Sequence, residues 1–173
     1  MARTIARLLV LGLCLSTAHA AAQQATVLNR VVAVVDGEAI LLSDLERTEA
    51  LFARIDPRNA RRAALDHLIG RALLAQLAER EPPVPDADVD RAIENVRRQA
   101  GLSDSAFWAA VAQPGFTRSR YRSDVRRELG MLRAVDRRVP PNLARERLHE
   151  ERERIRRELI RELRAHAQID IRI

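Results

Sequence analysis

The chain has 173 residues with a formal net charge of +6 at pH 7, and all 30 of its basic residues are arginines, set against 24 Asp and Glu. These arginines cluster among acidic neighbours in stretches of helical spacing, which is typical of solvated, ion-paired helix faces and argues against a nucleic-acid-binding protein. The one cysteine, Cys14, leaves no internal disulfide, so a hydrophobic core sized for one domain must stabilise the fold.

The first 20 residues are typical of a secretory signal peptide. Arg3 and Arg7 give a positive start, the run 8–15 is apolar, and Ala18-His19-Ala20 offers small residues for cleavage. The mature chain, 21–173, is then expected outside the cytoplasm as a single domain. Its charge excess is modest, because 28 arginines remain against the 24 acidic residues. No segment reaches the roughly 20 apolar residues that a membrane span needs.

A β-hairpin and a helix start are predicted after a short polar leader. The β-branched run 31–35 meets Asp36-Gly37, a pair that favours a type I′ turn, and 39–42 forms the return strand. The segment Ser43-Asp44-Leu45-Glu46 then fits a capping box, which predicts that Ser43 caps a helix from residue 44 to about 54.

A long second helix is predicted to start at Asp56-Pro57, run to about Glu81 and end at the prolines that follow. Apolar residues at spacings of three and four form its core-facing stripe: Leu65, Leu68, Ile69, Ala72, Leu73 and Leu77. Asp86 is expected to cap a third helix, and Gly101 to close it in the left-handed conformation. The core-facing residues of that helix are Val89, Ile93 and Val96.

Two further helices are predicted on either side of a turn at Pro114-Gly115. Ser103 caps a short fourth helix that runs to about Ala112, and Thr117 begins a fifth helix that ends before Pro140-Pro141. The apolar stripe of the fifth helix comprises Tyr121, Val125, Leu129, Leu132 and Val135.

The chain ends in a charged helix, 143–166, with a narrow apolar seam, and in a strand, 168–173, that alternates polar residues with three isoleucines. This strand needs a partner, and the hairpin supplies the only other predicted strands, so the two ends of the mature chain are expected to meet. The predicted fold is mainly α with a small antiparallel sheet: an N-terminal β-hairpin, about six helices and a C-terminal strand that returns to the hairpin.

Three segments resemble the SurA family of periplasmic chaperones. Residues 29–45, with the Val-Ala-Val-Val hairpin and the Ser43-Asp44-Leu45 helix start, closely resemble the opening of that family's N-terminal domain. Residues 121–139 are similar to the helix that ends the N-terminal region, and the closing helix with 167–173 is similar to the C-terminal return. The resemblance covers nearly the whole mature chain and implies a chaperone domain in the Gram-negative periplasm.

Full-length members of the family carry parvulin-type prolyl isomerase domains between the N-terminal region and the closing helix. Here Pro140-Pro141 and a few neighbours occupy that place, and the six glycines are spread singly. The resemblance therefore implies a short form without an isomerase domain. His67, His149 and His166 are not spaced for a zinc site, and no nucleophile elbow or phosphate-binding loop occurs, so we assign no catalytic residue, metal or cofactor.

Four of the five aromatic residues lie within fifteen positions: Phe107, Trp108, Phe116 and Tyr121. Unfolded outer-membrane proteins are rich in aromatics, so an aromatic crevice here is a candidate client-binding site, with ordinary core packing as the alternative. Since Phe107 and Trp108 are adjacent on a helix, at least one of them is expected at the edge of the core.

The expected function is that of an ATP-independent holdase that binds unfolded outer-membrane or exported proteins, with β-barrel precursors as the expected clients. A second hypothesis is a non-catalytic adaptor for one dedicated periplasmic partner or a homodimer mate, which the narrow seam of the last helix would suit. A prolyl isomerase is the third hypothesis, based on the family label alone.

Overall fold

The computed structural model describes residues 29–113 and 115–173; the predicted signal peptide, the leader to residue 28 and Pro114 lie outside the described residues. Within the described ranges, three strands and six helices follow one another: β1 (Val31–Val35), β2 (Glu38–Leu41), α1 (Leu42–Phe52), α2 (Ala60–Glu79), α3 (Asp86–Gln99), α4 (Asp104–Ala112), α5 (Arg118–Asp136), α6 (Arg145–His166) and β3 (Ile169–Ile171). The predicted fold class is confirmed.

The sheet joins the two ends of the described chain, as predicted. Its strand order is β2-β1-β3 and both pairings are antiparallel. Asp36 and Gly37 have φ angles of 46° and 87°, the positive values that a type I′ turn requires. Asp36 also fixes β3, because its backbone N–H donates to the Gln168 carbonyl (2.9 Å) and its carboxylate accepts from the Gln168 N–H (2.7 Å).

The predicted capping box at Ser43 is wrong. α1 begins at Leu42, one residue before Ser43, and no side chain at the N-cap position Leu41 caps it. Asn29 supplies the cap instead: its amide oxygen accepts from the Ser43 N–H (3.1 Å) and its amide nitrogen donates to the Ser43 hydroxyl. The strand feeds directly into the helix, so a residue fourteen positions upstream takes the capping role.

Two other helix starts differ from the prediction. α2 begins at Ala60, because Asp56 accepts from the N–H groups of Arg58 (3.1 Å) and Asn59 (3.4 Å) and holds those residues in a turn before the helix. Asp86 is the first residue of α3 and not its cap, since the extended Pro85 occupies the N-cap position. Both changes move acidic groups relative to the helix start without altering which face is buried.

The predicted caps of the remaining helices are confirmed. Gly101, at φ 66°, ends α3 with the two hydrogen bonds of a Schellman motif, Gly101 N–H to Arg98 O (3.0 Å) and Leu102 N–H to Arg97 O (3.2 Å). The Ser103 hydroxyl accepts from the Ala106 N–H at the start of α4, and the Thr117 hydroxyl does the same for Arg120 in α5.

Every buried side chain in the described part of the chain is apolar. The central core lies between the sheet, α1, α2, the C-terminal half of α5 and α6, and its largest fully buried members are Leu45, Ile69, Val32 and Val35. The arm core is separate and lies between α3, α4 and the N-terminal half of α5, around Val84, Val89, Ile93 and Phe107.

α5 contacts these two cores with two different faces, and this explains why Leu132, a predicted core residue, is exposed. Tyr121, Val125 and Leu129 contact the arm core, whereas Met131 and Val135 are buried in the central core. Since residues are about 100° apart on a helix, Leu132 continues the face of the arm stripe beyond the arm and is 52% exposed.

Apolar residues at the ends of two other predicted stripes are also exposed. Val96 is 44% exposed at the outer end of the α3 stripe. Of the three isoleucines in the terminal strand, Ile169 packs on the central core, but Ile171 and Ile173 are 48% and 58% exposed. β3 is an outer strand of the sheet, so its isoleucines extend past the helices that cover β1 and β2.

Candidate functional site

A groove runs between α2 and α5 and is lined by the central core. On one side it reaches α6 in a hollow of about 320 Å³ over Leu74, Met131 and Val135. On the other side it reaches β2 and α1 in a hollow of about 410 Å³ over Ile40 and Ala72. Both hollows have Arg71 and Met131 in their lining and therefore adjoin each other; the two hollows together are called here the α2–α5 groove.

Two glycines allow close packing of helices on α2. Gly70 faces α6 so closely that a Cβ there would lie 3.0 Å from Ile160 Cδ1, and a Cβ on Gly130 of α5 would lie 3.3 Å from Ala78 Cβ of α2. The two glycines therefore let α5 and α6 approach α2 at the level of the backbone.

Ion pairs cross the groove and form its rims. Arg71 of α2 pairs with Glu128 of α5 (2.9 Å), where the two hollows meet. Arg152 of α6 holds Asp136 of α5 through two contacts of 2.6 and 3.1 Å at one end. Because these side chains remain close to half exposed, each pair stabilises the fold by about 1 kcal/mol at most.

His67 lies in α2, one turn before Arg71. Partial burial lowers the pKa of His67 below its ordinary value, and the positive charges of Arg156 and Arg71 lower it further, against an opposing effect of Glu128. Its ring packs at 5.6 Å from the ring of Phe52, at the end of α1. Burial and these two charges therefore favour the neutral form of the His67 ring.

Three of the four predicted site residues come together in the arm. Phe107, Trp108 and Tyr121 contact one another edge to face, with ring centroids 5.1, 5.6 and 5.9 Å apart. Phe107 is buried, while Trp108 and Tyr121 are half-buried. The residues thus share one cluster that reaches from the arm core to the surface.

Trp108, one of the two half-buried members of this cluster, has polar neighbours. Its indole N–H donates to the Asp104 carboxylate (3.1 Å), and the Arg118 guanidinium lies 4.8 Å from its ring centroid. Phe116 lies apart from the trio and carries the Arg120 guanidinium at 5.4 Å. Two arginines therefore cover the aromatic surface and would have to move for an apolar ligand to contact it.

Within residues 29–113 and 115–173, no group of three or more His, Cys, Asp or Glu side chains is placed to hold a metal ion. The helices described there also include none of sufficient length and apolarity to cross a membrane.

Sequence reasoning missed the α2–α5 groove. The predicted apolar stripe of α5 includes Leu132 and leaves out Met131. A single stripe cannot describe this helix, because it contacts two cores with different faces. The position of Gly130 next to Met131 was the available signal, since a glycine inside a helix indicates a close approach of another element.

These observations define a class of protein: a mainly helical domain whose small sheet combines strands from both ends of the described chain, with a partly apolar groove between its central helices. The family model for the SurA N-terminal domain matches residues 28–135, from the start of the hairpin to the end of α5. This chain therefore belongs to the SurA N-terminal domain family, which confirms the resemblance seen in the sequence.

Several curated relatives carry the name chaperone SurA. Identity is 34% over 120 residues with the protein from Alkalilimnicola ehrlichii, covering 64% of this chain and 28% of the relative. It is 34% over 134 residues for Ralstonia nicotianae (72% and 27%) and 31% over 146 residues for Chromobacterium violaceum (79% and 34%). The chain thus spans about a third or less of the length of these relatives.

A solved structure from work on two SurA-like chaperones of Campylobacter jejuni is also similar. It shares 24% identity and a TM-score of 0.41, with coverage of 63% of this chain and 42% of that chain.

Proposed function

We propose that this domain is an ATP-independent periplasmic holdase, which binds extended segments of unfolded exported proteins in the α2–α5 groove. Precursors of outer-membrane β-barrels are the proposed clients. The observation that carries the proposal is the groove itself, two adjoining, partly apolar hollows on a member of a family whose relatives are named as chaperones.

The composition of the groove suits a client without a defined sequence. An apolar floor accepts alternate apolar side chains of an extended segment, and charged rims accept the polar side chains between them. Exposed Leu132 on the wall adds an apolar contact that requires no rearrangement. Many weak contacts of this kind hold a client without fixing its conformation.

We propose the aromatic cluster of Phe107, Trp108 and Tyr121, together with Phe116, which lies outside the cluster, as a second client contact. Half-buried Trp108 offers ring surface next to the Asp104 carboxylate and the Arg118 guanidinium. Displacement of Arg118 by an aromatic client side chain would exchange one ring contact for another, so this contact is expected to be weaker than the groove.

The proposed activity requires neither nucleotide hydrolysis nor a catalytic residue. Residues 137–144 join α5 to α6 at the place where the family resemblance puts isomerase domains. A standard peptide assay with prolyl isomerisation above background would contradict this part of the proposal.

The experiment that tests the holdase is light scattering of a denatured outer-membrane protein diluted into buffer, with and without the purified domain at a few-fold excess. Dose-dependent suppression of aggregation is the expected result. A folded sample that suppresses nothing would reject the holdase and favour the adaptor with one dedicated partner.

Two matched variants locate the client surface. Leu132→Glu changes an exposed residue on the groove wall, and Val96→Glu makes the same change at an exposed residue of α3 that does not line the groove. Loss of suppression in Leu132→Glu alone supports the groove. Trp108→Ala tests the second contact: weaker suppression with an unchanged melting temperature supports it, while a large fall in stability assigns Trp108 to the arm core.

A further inference from the structure

β3 presents an outer edge with no strand against it among the described residues. The Arg172 N–H donates to Val32 O of β1 (2.8 Å), and the Gln168 carbonyl accepts from Asp36. Because backbone groups alternate in direction along an antiparallel strand, Ile169, Ile171 and Ile173 direct their N–H and C=O groups away from β1. An edge of this kind can pair with another strand.

The sequence along this edge is self-complementary. Ile169-Asp170-Ile171-Arg172-Ile173 has isoleucine at both ends and at its centre, and opposite charges at equal distances from the centre. We propose that β3 pairs with β3 of a second copy of this chain, antiparallel and centred on Ile171, to give a six-stranded sheet across a two-fold axis.

This register satisfies the edge completely. Ile171 lies opposite Ile171 of the other copy and Ile169 opposite Ile173, so the residues whose backbone groups face outward exchange hydrogen bonds with one another. In the same register Asp170 lies opposite Arg172 of the other copy, and Arg172 opposite Asp170. The ion pair already present within the strand, Arg172 Nε to Asp170 (2.8 Å), becomes part of a network of four alternating charges.

The apolar face supports the same pairing. Ile169 and Ile171 lie in register with Val35 and Ala33, which places the isoleucines on the core-facing side of the sheet. Ile171 and Ile173 are 48% and 58% exposed there. Pairing would cover each of them with an isoleucine of the other copy, which removes apolar surface from water.

The dimer is expected to be weak. A strand of this length provides less contact than the about 1,200 Å² buried in stable interfaces, so dimerisation should be detected at tens to hundreds of micromolar protein. The proposal does not rest on the holdase, because it concerns the sheet edge and not the α2–α5 groove.

Sedimentation velocity of the mature chain, 21–173, across a concentration series tests the pairing. The wild-type protein is expected to shift from monomer to dimer. Asp170→Arg should raise the dissociation constant about tenfold, because the introduced guanidinium then faces Arg172 of the other copy, and Arg172→Asp should do the same by opposing two carboxylates. The matched controls are charge reversals at exposed residues of α6, Glu162→Arg and Arg161→Asp, which should not change the dissociation constant.

Mixing the two variants gives the decisive measurement. An Asp170→Arg chain carries two arginines along the edge and an Arg172→Asp chain carries two aspartates, so only the mixed pair restores both opposite-charge contacts. The mixture should therefore dimerise within about threefold of the wild-type affinity, while each variant alone remains monomeric at the same concentration.

Three results would overturn the proposal. The first is a wild-type chain that stays monomeric throughout the series, and the second is a dimer that responds equally to the edge variants and to the controls. The third is protection of the Ile169, Ile171 and Ile173 amides from hydrogen exchange at a dilution where only monomer exists, since another part of the same chain would then cover the edge.

Discussion

The central core and the arm core are built in opposite ways. The central core joins residues from both ends of the described chain, because β1 pairs with β3 and because α6 packs on α2. The arm core is assembled from residues 84–129 alone. The central core is therefore completed only when distant segments meet, whereas the arm core closes over short loops.

The two cores also differ in the kinds of side chain that fill them. Aliphatic residues and Met131 fill the central core, with Phe52 packed against it, while a trio of aromatic rings closes the arm core. Ion pairs between α3 and α5 surround the arm core: Arg122 with Asp90, Arg126 with Asp86, and Arg133 with Asp88. The pairs of Arg122 and Arg126 are largely exposed and add little stability, whereas Asp88 of the third pair is only 17% exposed, so the arm depends on a small apolar cluster and on that partly buried pair. We infer that the arm opens more readily than the central body.

The largest effect is expected for Ile69→Ala in the central core. Ile69 is fully buried between the sheet, α1 and α2, so its truncation should lower the free energy of unfolding by about 2–5 kcal/mol. Urea denaturation should be followed by far-UV circular dichroism and by fluorescence of Trp108, the only tryptophan and a residue of the arm. Both transitions should move together, because the arm is attached to α5 of the central body.

Ile93→Ala, the matched change in the arm core, separates the two regions. The fluorescence transition should then occur at lower urea than the circular dichroism transition, since the arm opens while the central body stays folded. Coincident transitions in Ile93→Ala would show that the two cores unfold as one unit.

A second prediction concerns the arm alone. Gly101→Ala places a Cβ in open space but at a φ of 66°, so the cost is conformational and should be about 1 kcal/mol. Gly101→Asn is the control, because asparagine tolerates the left-handed conformation and should lower the free energy of unfolding by less. The urea midpoint followed by Trp108 fluorescence measures the stability of both variants. An equal loss of stability in the two would contradict this explanation.

The third prediction tests the cap of α1 in the central body. Asn29→Ala removes the acceptor of the Ser43 N–H and should cost about 1 kcal/mol. Ser43→Ala should cost less, since the serine hydroxyl only receives a hydrogen bond from Asn29. Urea denaturation measures both variants. A larger loss of stability in Ser43→Ala than in Asn29→Ala would support the capping box that the sequence predicted.

The sequence predicted the local features of both regions and missed features that depend on distant segments. Local signals identified the type I′ turn at Asp36-Gly37, the Schellman end at Gly101 and the caps at Ser103 and Thr117, because each needs only residues close in sequence. Alternation in the terminal strand predicted its return to the hairpin, since few other partners existed. The cap from Asn29 and the groove at Met131 were missed, because both depend on elements that meet only in the folded protein.

The smallest effect is expected from pH, and it should act on the central body. Because burial and then Arg156 and Arg71 lower the pKa of His67, the unfolded chain takes up a proton below about pH 6.5 that the folded chain resists. The free energy of unfolding should consequently fall as the pH decreases from about 7 to 5, since the unfolded state binds more protons. Urea midpoints by circular dichroism across this range measure the slope, which His67→Gln should reduce. His149→Gln, a change at an exposed histidine of α6, should keep the part of the slope that His67 causes; an unchanged slope in His67→Gln would place the pH response elsewhere.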